Sequence, residues 1–311
     1  MTQRHLISDH DLSAAEVAGL FKLAADVKAN PEKYSGALTR KSLGMIFEKS
    51  STRTRVSFEV GMVQMGGHAL FLSSRDIQLG RGEPISDTAQ VLSRYVDGIM
   101  ARVFAHQTVA DLARFGTVPV INGLSDDLHP CQALTDYFTL TEVFGSDLKG
   151  RKLAYVGDGN NMAMSLMLTA SRVGMDFAVA SPKGYEVREP YLGQARRAAE
   201  EAGTRLELTD DPRQAVKDAS AVYTDVWASM GQEQEAQKRL KDFQGFIVDE
   251  KLMSGARQDA IFLHCLPAHR GEEVAAEVAD GPQSRIYDEA ENRLHVQKAI
   301  LLWLMAGVEI A

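Results

Sequence analysis

Strand-like and helix-like segments take turns along this chain, in two separate series. The first runs SLGMIFE, RTRVSFEVGMVQM, GHALFL, ISDTAQVLSRY, VDGIMARVF, VADLARFG and TVPVING. The second runs RKLAYVG, MAMSLMLTASRVG, DFAVAS, YLGQARRAAEEAG, RLELTD and SAVYTDV, completed by FIVDEKL and AIFLHCLP. Short apolar runs between helical patterns are what parallel strands buried on both faces look like. Each series is long enough for a sheet of four or five strands, so the expected fold is α/β, with two doubly wound parallel-sheet domains. The turn-rich FGSDLKG is the expected boundary, giving domains over 1–145 and 146–288. Before the first series, Ser13-Ala14-Ala15-Glu16 has capping-box spacing, and Val17, Leu20 and Leu23 follow at helical spacing toward Asn30-Pro31.

A length of 311 residues suits two such domains, and 45% hydrophobic residues suffice for two cores. The formal charge is 34 − 42 = −8, which disfavours nucleic acid and anionic lipid, so any anion site must be built locally. Two distant cysteines, Cys131 and Cys265, and a charged opening MTQRHLISDHDL point to reduced thiols and the cytoplasm. The greasiest stretch, AILLWLMAGVEI, is too short to span a membrane.

In doubly wound folds chemistry sits just beyond the strand ends. SLGMIFE leads into Lys49-Ser50-Ser51-Thr52-Arg53-Thr54-Arg55 at the start of a helix whose inner face is expected to carry Val56, Val60 and Val63. A helix start offers N–H donors, hydroxyls add more, and arginine forks match phosphate oxygens. Capping by Ser51 or Thr52 would explain a lone Ser-Thr pair, but two Thr-Arg steps favour a phosphate cradle. Arg102 and the run His129-Pro130-Cys131-Gln132 follow other strands and are expected at the same sheet edge. There Arg102 and His129 suit a carbonyl oxygen gaining charge and Gln132 an amide, a set fitted to acyl-phosphate chemistry.

The second series has its own strand-end polar groups. Val156-Gly157-Asp158-Gly159-Asn160-Asn161 lacks the full G-x-G-x-x-G spacing, which weakens a dehydrogenase reading. Asn160 and Asn161 either cap the helix beginning near Met162 or grip a zwitterionic substrate. Asp225-Val226-Trp227-Ala228-Ser229-Met230-Gly231 puts a carboxylate at a strand end and a flexible glycine after a hydroxyl, the pattern expected of an amine-binding loop. His264-Cys265-Leu266-Pro267 puts a thiol in a turn that proline makes irregular, where a buried structural cysteine is the plain alternative. A thiol nucleophile is disfavoured, because strand neighbours point to opposite faces and His264 would not serve Cys265 as a base. Neither HExxH nor paired Cys/His spacing is present, so no metal is expected.

SSTRTR, HPCQALTD, DVWASMG and HCLP, in this order, resemble the aspartate/ornithine carbamoyltransferase family over nearly the whole chain, and the last two motifs resemble its ornithine branch. The resemblance implies transfer of the carbamoyl group of carbamoyl phosphate to L-ornithine without a cofactor, at an active site in the interdomain cleft. It implies a carbamoyl-phosphate domain, an ornithine domain, a C-terminal helix of about 289–311 packed on the first, and a homotrimer sharing its sites. By position, Ser51, Thr52, Arg53 and Thr54 would bind phosphate. Arg102, His129 and Gln132 would bind the carbamoyl group and bridging oxygens, with Cys265, Leu266 and Arg293 completing that site. Asn161, Asp225, Ser229 and Met230 would hold ornithine, with Asn160 secondary, and Gln78 would reach a neighbouring subunit's phosphate site. Ser50 stands where many relatives carry proline, and the surroundings of Arg102 in ARVFAH differ in neutral positions. Other acceptors (acetylornithine, putrescine, aspartate) and an inactive partner-binding relative are the remaining alternatives.

Overall fold

A computed structural model of the protein describes residues 3–78, 82–228 and 233–311. The chain packs as two compact units, one of residues 1–135 with 291–311 and the other of residues 136–290.

The first unit begins with α1 (Ala14–Ala29), where Ser13 and Glu16 form a reciprocal capping box. Such a cap contributes about 1 kcal/mol. There follow β1 (Ser42–Phe47), α2 (Thr52–Gln64), β2 (His68–Ser73), α3 (Ile85–Leu92), β3 (Gly98–Arg102), α4 (His106–Phe115) and β4 (Val120–Leu124). The four strands pair in parallel in the order β2-β1-β3-β4. The chain winds outward to β2 and then returns past β1 to β3, so the switch point lies between the carboxyl ends of β1 and β3. α5 (Pro130–Phe144) leads out of this unit.

α2 does not turn its valines inward as its sequence suggests. Val56 is 49% and Val63 67% exposed, while Thr54, Phe58, Gly61 and Met62 are buried. Two constraints fix this face. Thr54 is drawn inward at the helix start, and Phe58 and Met62, one turn apart, supply the buried apolar surface, with Gly61 facing the C-terminal helix near Lys298.

The second unit continues with β5 (Lys152–Val156), α6 (Asn161–Ala170), β6 (Asp176–Ala180), α7 (Tyr191–Ala202), β7 (Leu206–Thr209), α8 (Pro212–Val216) and β8 (Ala221–Tyr223). It closes with α9 (Ala236–Asp242), α10 (Glu250–Met253), β9 (Ile261–Leu263) and α11 (Ala276–Ala279), after which α12 (Ile286–Ala306) returns the chain to the first unit. The strand order β7-β6-β5-β8-β9 is parallel throughout, with its switch point between β5 and β8. The FIVDEKL segment makes only an isolated bridge, Val248 with Val274, before entering α10. A core of Ala154, Val156, Val222, Phe243 and Phe262 among others lies on one face of this sheet. Among the described residues no helix is long and apolar enough to cross a membrane.

Candidate active site

Each unit carries a polar cluster at the switch point of its sheet. In the first, β1 hands the chain to the start of α2, where Ser51 is the N-cap and its hydroxyl accepts from Thr54 N at 3.2 Å. Thr52 is exposed at the first helical position and Arg53 half-buried at the second. Arg102 ends β3 at a shift of register against β4, and its carbonyl accepts from Glu48 N at 2.9 Å. The extra residue of this irregularity is Gly123 of β4. Arg102 is buried, and so are His129, just before α5, and Gln132, in its first turn. Arg293 of α12 ties the group together: Nη1 donates to Gln132 Oε1, and Nη2 to Thr54 Oγ1 at 3.3 Å.

This cluster is cationic, and Thr54, Arg102, His129, Gln132 and Arg293 within it are buried. Burial first, and then Arg293, Arg102 and Arg53, hold the His129 imidazole well below its ordinary range, so it is neutral near pH 7. A neutral imidazole among three guanidinium groups can donate one N–H to an oxygen without adding charge. Gln78 stands on the exposed loop after β2, where its carbonyl accepts from Glu83 N at 3.2 Å.

The second cluster centres on Asp225, just past β8 and 7% exposed. Its Oδ2 accepts from Asn160 Nδ2 at 2.9 Å, and its Oδ1 from the Cys265 thiol at 3.2 Å. Asn160 also caps α6, its Oδ1 accepting from Met162 N and Ala163 N. Of the two roles weighed for Asn160 in the sequence, the structure shows the cap, while its amide nitrogen is held by the protein's own Asp225 carboxylate. Asn161 is half-buried at the first position of α6. Ser229 and Met230 lie outside the described residues.

The glycines of the Gly157-Asp158-Gly159 turn serve the chain's own packing. Gly157 sits at φ +147°, and a Cβ on Gly159 would come within 2.3 Å of Val187 N. Burial pushes the Cys265 thiol well up, and the neighbouring Asp225 carboxylate pushes it further. Cys265 is thus a thiol donor rather than a thiolate, and the two ring nitrogens of His264 are taken by Leu266 N and Glu273. Cys265 and Leu266 follow β9, and Leu266 takes the left-handed region at φ +60°.

Three supporting residues had no distinguishing mark in the sequence. Arg239 of α9 donates to Asp158 Oδ2 at 2.6 Å and to the Trp227 carbonyl at 2.7 Å. Glu273 and Glu289 are both buried and accept from the ring and the backbone N–H of His264 respectively. A buried carboxylate among charged neighbours looks solvated in sequence, although Asp158 at a strand end carried a positional signal.

Two parallel α/β units with a cationic cluster on one and a carboxylate cluster on the other define a two-domain transfer enzyme of the α/β class. Residues 4–142 match the carbamoyl-P binding domain, and residues 149–304 the Asp/Orn binding domain, of aspartate/ornithine carbamoyltransferase. Ornithine carbamoyltransferase of Anoxybacillus flavithermus is 59% identical over 298 residues, 95% of this chain and 94% of that protein. The anabolic ornithine carbamoyltransferase of Pyrococcus furiosus is 54% identical, covering 98% of each chain. The solved ornithine carbamoyltransferase of Pyrococcus furiosus superposes with a TM-score of 0.94 at 53% identity, covering 99% of each chain. The chain belongs to the aspartate/ornithine carbamoyltransferase family and is a carbamoyltransferase.

Proposed function

We propose that this enzyme transfers the carbamoyl group of carbamoyl phosphate to the δ-amine of L-ornithine, giving L-citrulline and phosphate. The observation that carries the reading is the convergence of Thr54, Gln132 and Arg293 beside a neutral, buried His129. This group offers hydroxyl, amide and guanidinium contacts for a small acyl phosphate. Ornithine as acceptor is supported by the names of the similar proteins, 59% and 54% identical.

In this reading Ser51, Thr52, Arg53 and Thr54 hold the phosphate, with the start of α2 adding backbone N–H donors. Arg102, His129 and Gln132 bind the carbamoyl carbonyl and amide, with Cys265, the Leu266 carbonyl and Arg293 completing the carbamoyl site. Asn161, Asp225, Ser229 and Met230 hold ornithine. The first domain, 1–145 with a C-terminal helix of about 289–311, takes carbamoyl phosphate, and 146–288 takes ornithine.

The δ-ammonium loses its proton in the site, with Asp225 and Cys265 orienting the nitrogen. The free amine attacks the carbonyl carbon, a C–N bond forms, and the oxygen gains charge among Arg102, His129 and Thr54. Loss of one such donor typically costs about 3 kcal/mol of transition-state stabilisation. The tetrahedral intermediate expels phosphate by breaking the C–O bond. Arg53 offsets the charge on the leaving group, which accepts the proton shed by the amine. The proton lost by the δ-ammonium before attack leaves to solvent, and the one lost from nitrogen after attack leaves with phosphate.

Assembly as a homotrimer belongs to the same reading and is supported by the edge strand β2, which exposes Leu70 and Phe71. Gln78, on the loop that follows, would reach the phosphate site of a neighbouring subunit. The cytoplasm is the expected compartment, in keeping with the two free thiols of Cys131 and Cys265. A citrulline assay with carbamoyl phosphate against ornithine, acetylornithine, putrescine and aspartate tests reaction and acceptor together. Turnover with ornithine alone is expected; preference for any other acceptor would overturn the assignment.

A further inference from the structure

The turn after β9 is held by a buried pair of side chains to which the mechanism above gives no part. His264 and Glu273 have wholly buried side chains. His264 Nδ1 accepts from Leu266 N at 2.9 Å, and Nε2 meets Glu273 Oε1 at 3.1 Å. A ring nitrogen that accepts a backbone N–H carries no proton, so the proton sits on Nε2 and is donated to Glu273. The same Glu273 oxygen accepts from His269 N at 2.6 Å, so one carboxylate ties both ends of the segment 264–269. From the other side Glu289 Oε2 accepts from His264 N at 2.9 Å.

This anchoring falls on a strained peptide. Leu266 stands at φ +60°, a left-handed region that crowds the Cβ of any residue other than glycine. The His264 ring reaches two residues ahead and holds the Leu266 N–H in that conformation. Cys265, between the two held backbone N–H groups, gives its thiol to Asp225.

We propose that His264, with its tautomer fixed by Glu273, is the positioning residue of the Cys265–Leu266 turn, setting the Leu266 carbonyl and the Cys265 thiol for carbamoyl transfer. The proposal rests on the reading that puts those two groups at the reacting carbon. A buried imidazole–carboxylate pair is by itself a poor source of stability, since desolvation cancels much of the attraction. Its value here is geometric, because a displacement of about 1 Å at a reacting group can cost a hundredfold in rate.

The test compares His264→Gln with His264→Asn. Asparagine puts an amide oxygen near the Nδ1 position and still accepts from Leu266 N, whereas glutamine reaches toward Nε2 and leaves that N–H without its acceptor. For His264→Gln, kcat is expected to fall about tenfold to a hundredfold, with carbamoyl-phosphate affinity by calorimetry within about twofold. His264→Asn is expected to keep kcat within about threefold of the parent despite a lower Tm. A His264→Gln enzyme with kcat within about twofold, or equal losses in both variants, overturns the proposal. Glu273→Gln carries the test should the His264 variants not fold. Its amide can offer Nε2 an acceptor or a donor, so imidazole 15N spectra should show mixed tautomers where the parent shows one, with kcat lowered severalfold. A single tautomer with full kcat in Glu273→Gln would overturn the proposal. Absence of citrulline from the parent enzyme would instead bring down the functional reading, leaving the imidazole spectrum to report on the clamp.

Discussion

At the scale of single residues, Asp225 accepts from two side chains of different chemistry, and neither of its oxygens is spare. Asp225→Asn must turn an NH2 group toward either the Asn160 amide or the Val226 N–H beside the Cys265 thiol, placing donor against donor. The ornithine KM is expected to rise about tenfold or more while carbamoyl-phosphate affinity stays within about threefold. Calorimetry and steady-state kinetics on the same preparation decide it, and equal losses for both substrates would exclude the assigned role. His129 gives a pH prediction. Its folded pKa lies well below the ordinary value of 6.5, so below pH 6.5 the unfolded chain binds the extra proton first. Its contribution is full above pH 6.5 and is lost as pH falls toward the folded pKa, by about 1.4 kcal/mol per pH unit. His5, His106 and His295 are lowered too and act in the same sense. Urea titrations at pH 7.5 and 5.5 should show the loss, and His129→Gln should make it smaller.

At the scale of elements, the strands were legible because a parallel strand covered on both faces must be an apolar run, whatever its neighbours. Helix faces were less so. Val56, Val60 and Val63 look like a core stripe, yet the buried apolar residues of α2 are Phe58 and Met62, on the side of the helix that also carries Thr54 and Gly61, and two competing stripes cannot be ranked from the pattern alone. The same limit applies to the clusters. Ser51 to Thr54, Arg102, His129 and Asp225 advertise themselves by following apolar strands. Arg293, in contrast, lies 161 and 239 residues from its partners Gln132 and Thr54, a closeness that no local pattern encodes. Arg239 reads as one more charge on a polar helix, and only the fold shows it buried against Asp158. It also bonds Trp227 O and Glu235, so one side chain ties α9 to the end of the segment after β8. Arg239→Met strands the Asp158 carboxylate in a site whose burial already raises its pKa. The expected loss is about 3 kcal/mol in urea unfolding, with a higher ornithine KM. Asp158→Asn in the same chain should restore part of the stability, and full stability in the single variant would show that the pair is not coupled.

At the scale of the whole molecule, the question is what covers the first unit's apolar edge. Among the described residues β2 pairs on one side only, with β1, and shows Leu70 and Phe71 to solvent, with the Arg55 guanidinium 3.8 Å from the Phe71 ring centroid. A bare parallel edge of this kind invites association. In a closed ring of like subunits each contact is heterologous, so one face can lend Gln78 while the other receives it. That geometry makes a quantitative demand on mixed assemblies. Gln78→Ala and Arg102→Leu enzymes should each be nearly inactive alone, because every site then lacks one contact. After equal amounts are dissociated and reassembled together, a site is intact only where Gln78 from an Arg102→Leu subunit meets Arg102 from a Gln78→Ala subunit. Random assortment makes that about one site in four, so about a quarter of parental activity should return. Reassembly must be checked by sedimentation. Trimers that re-form without activity would show that Gln78 serves its own chain, and full activity in an isolated single-subunit fraction would show that the site needs no neighbour.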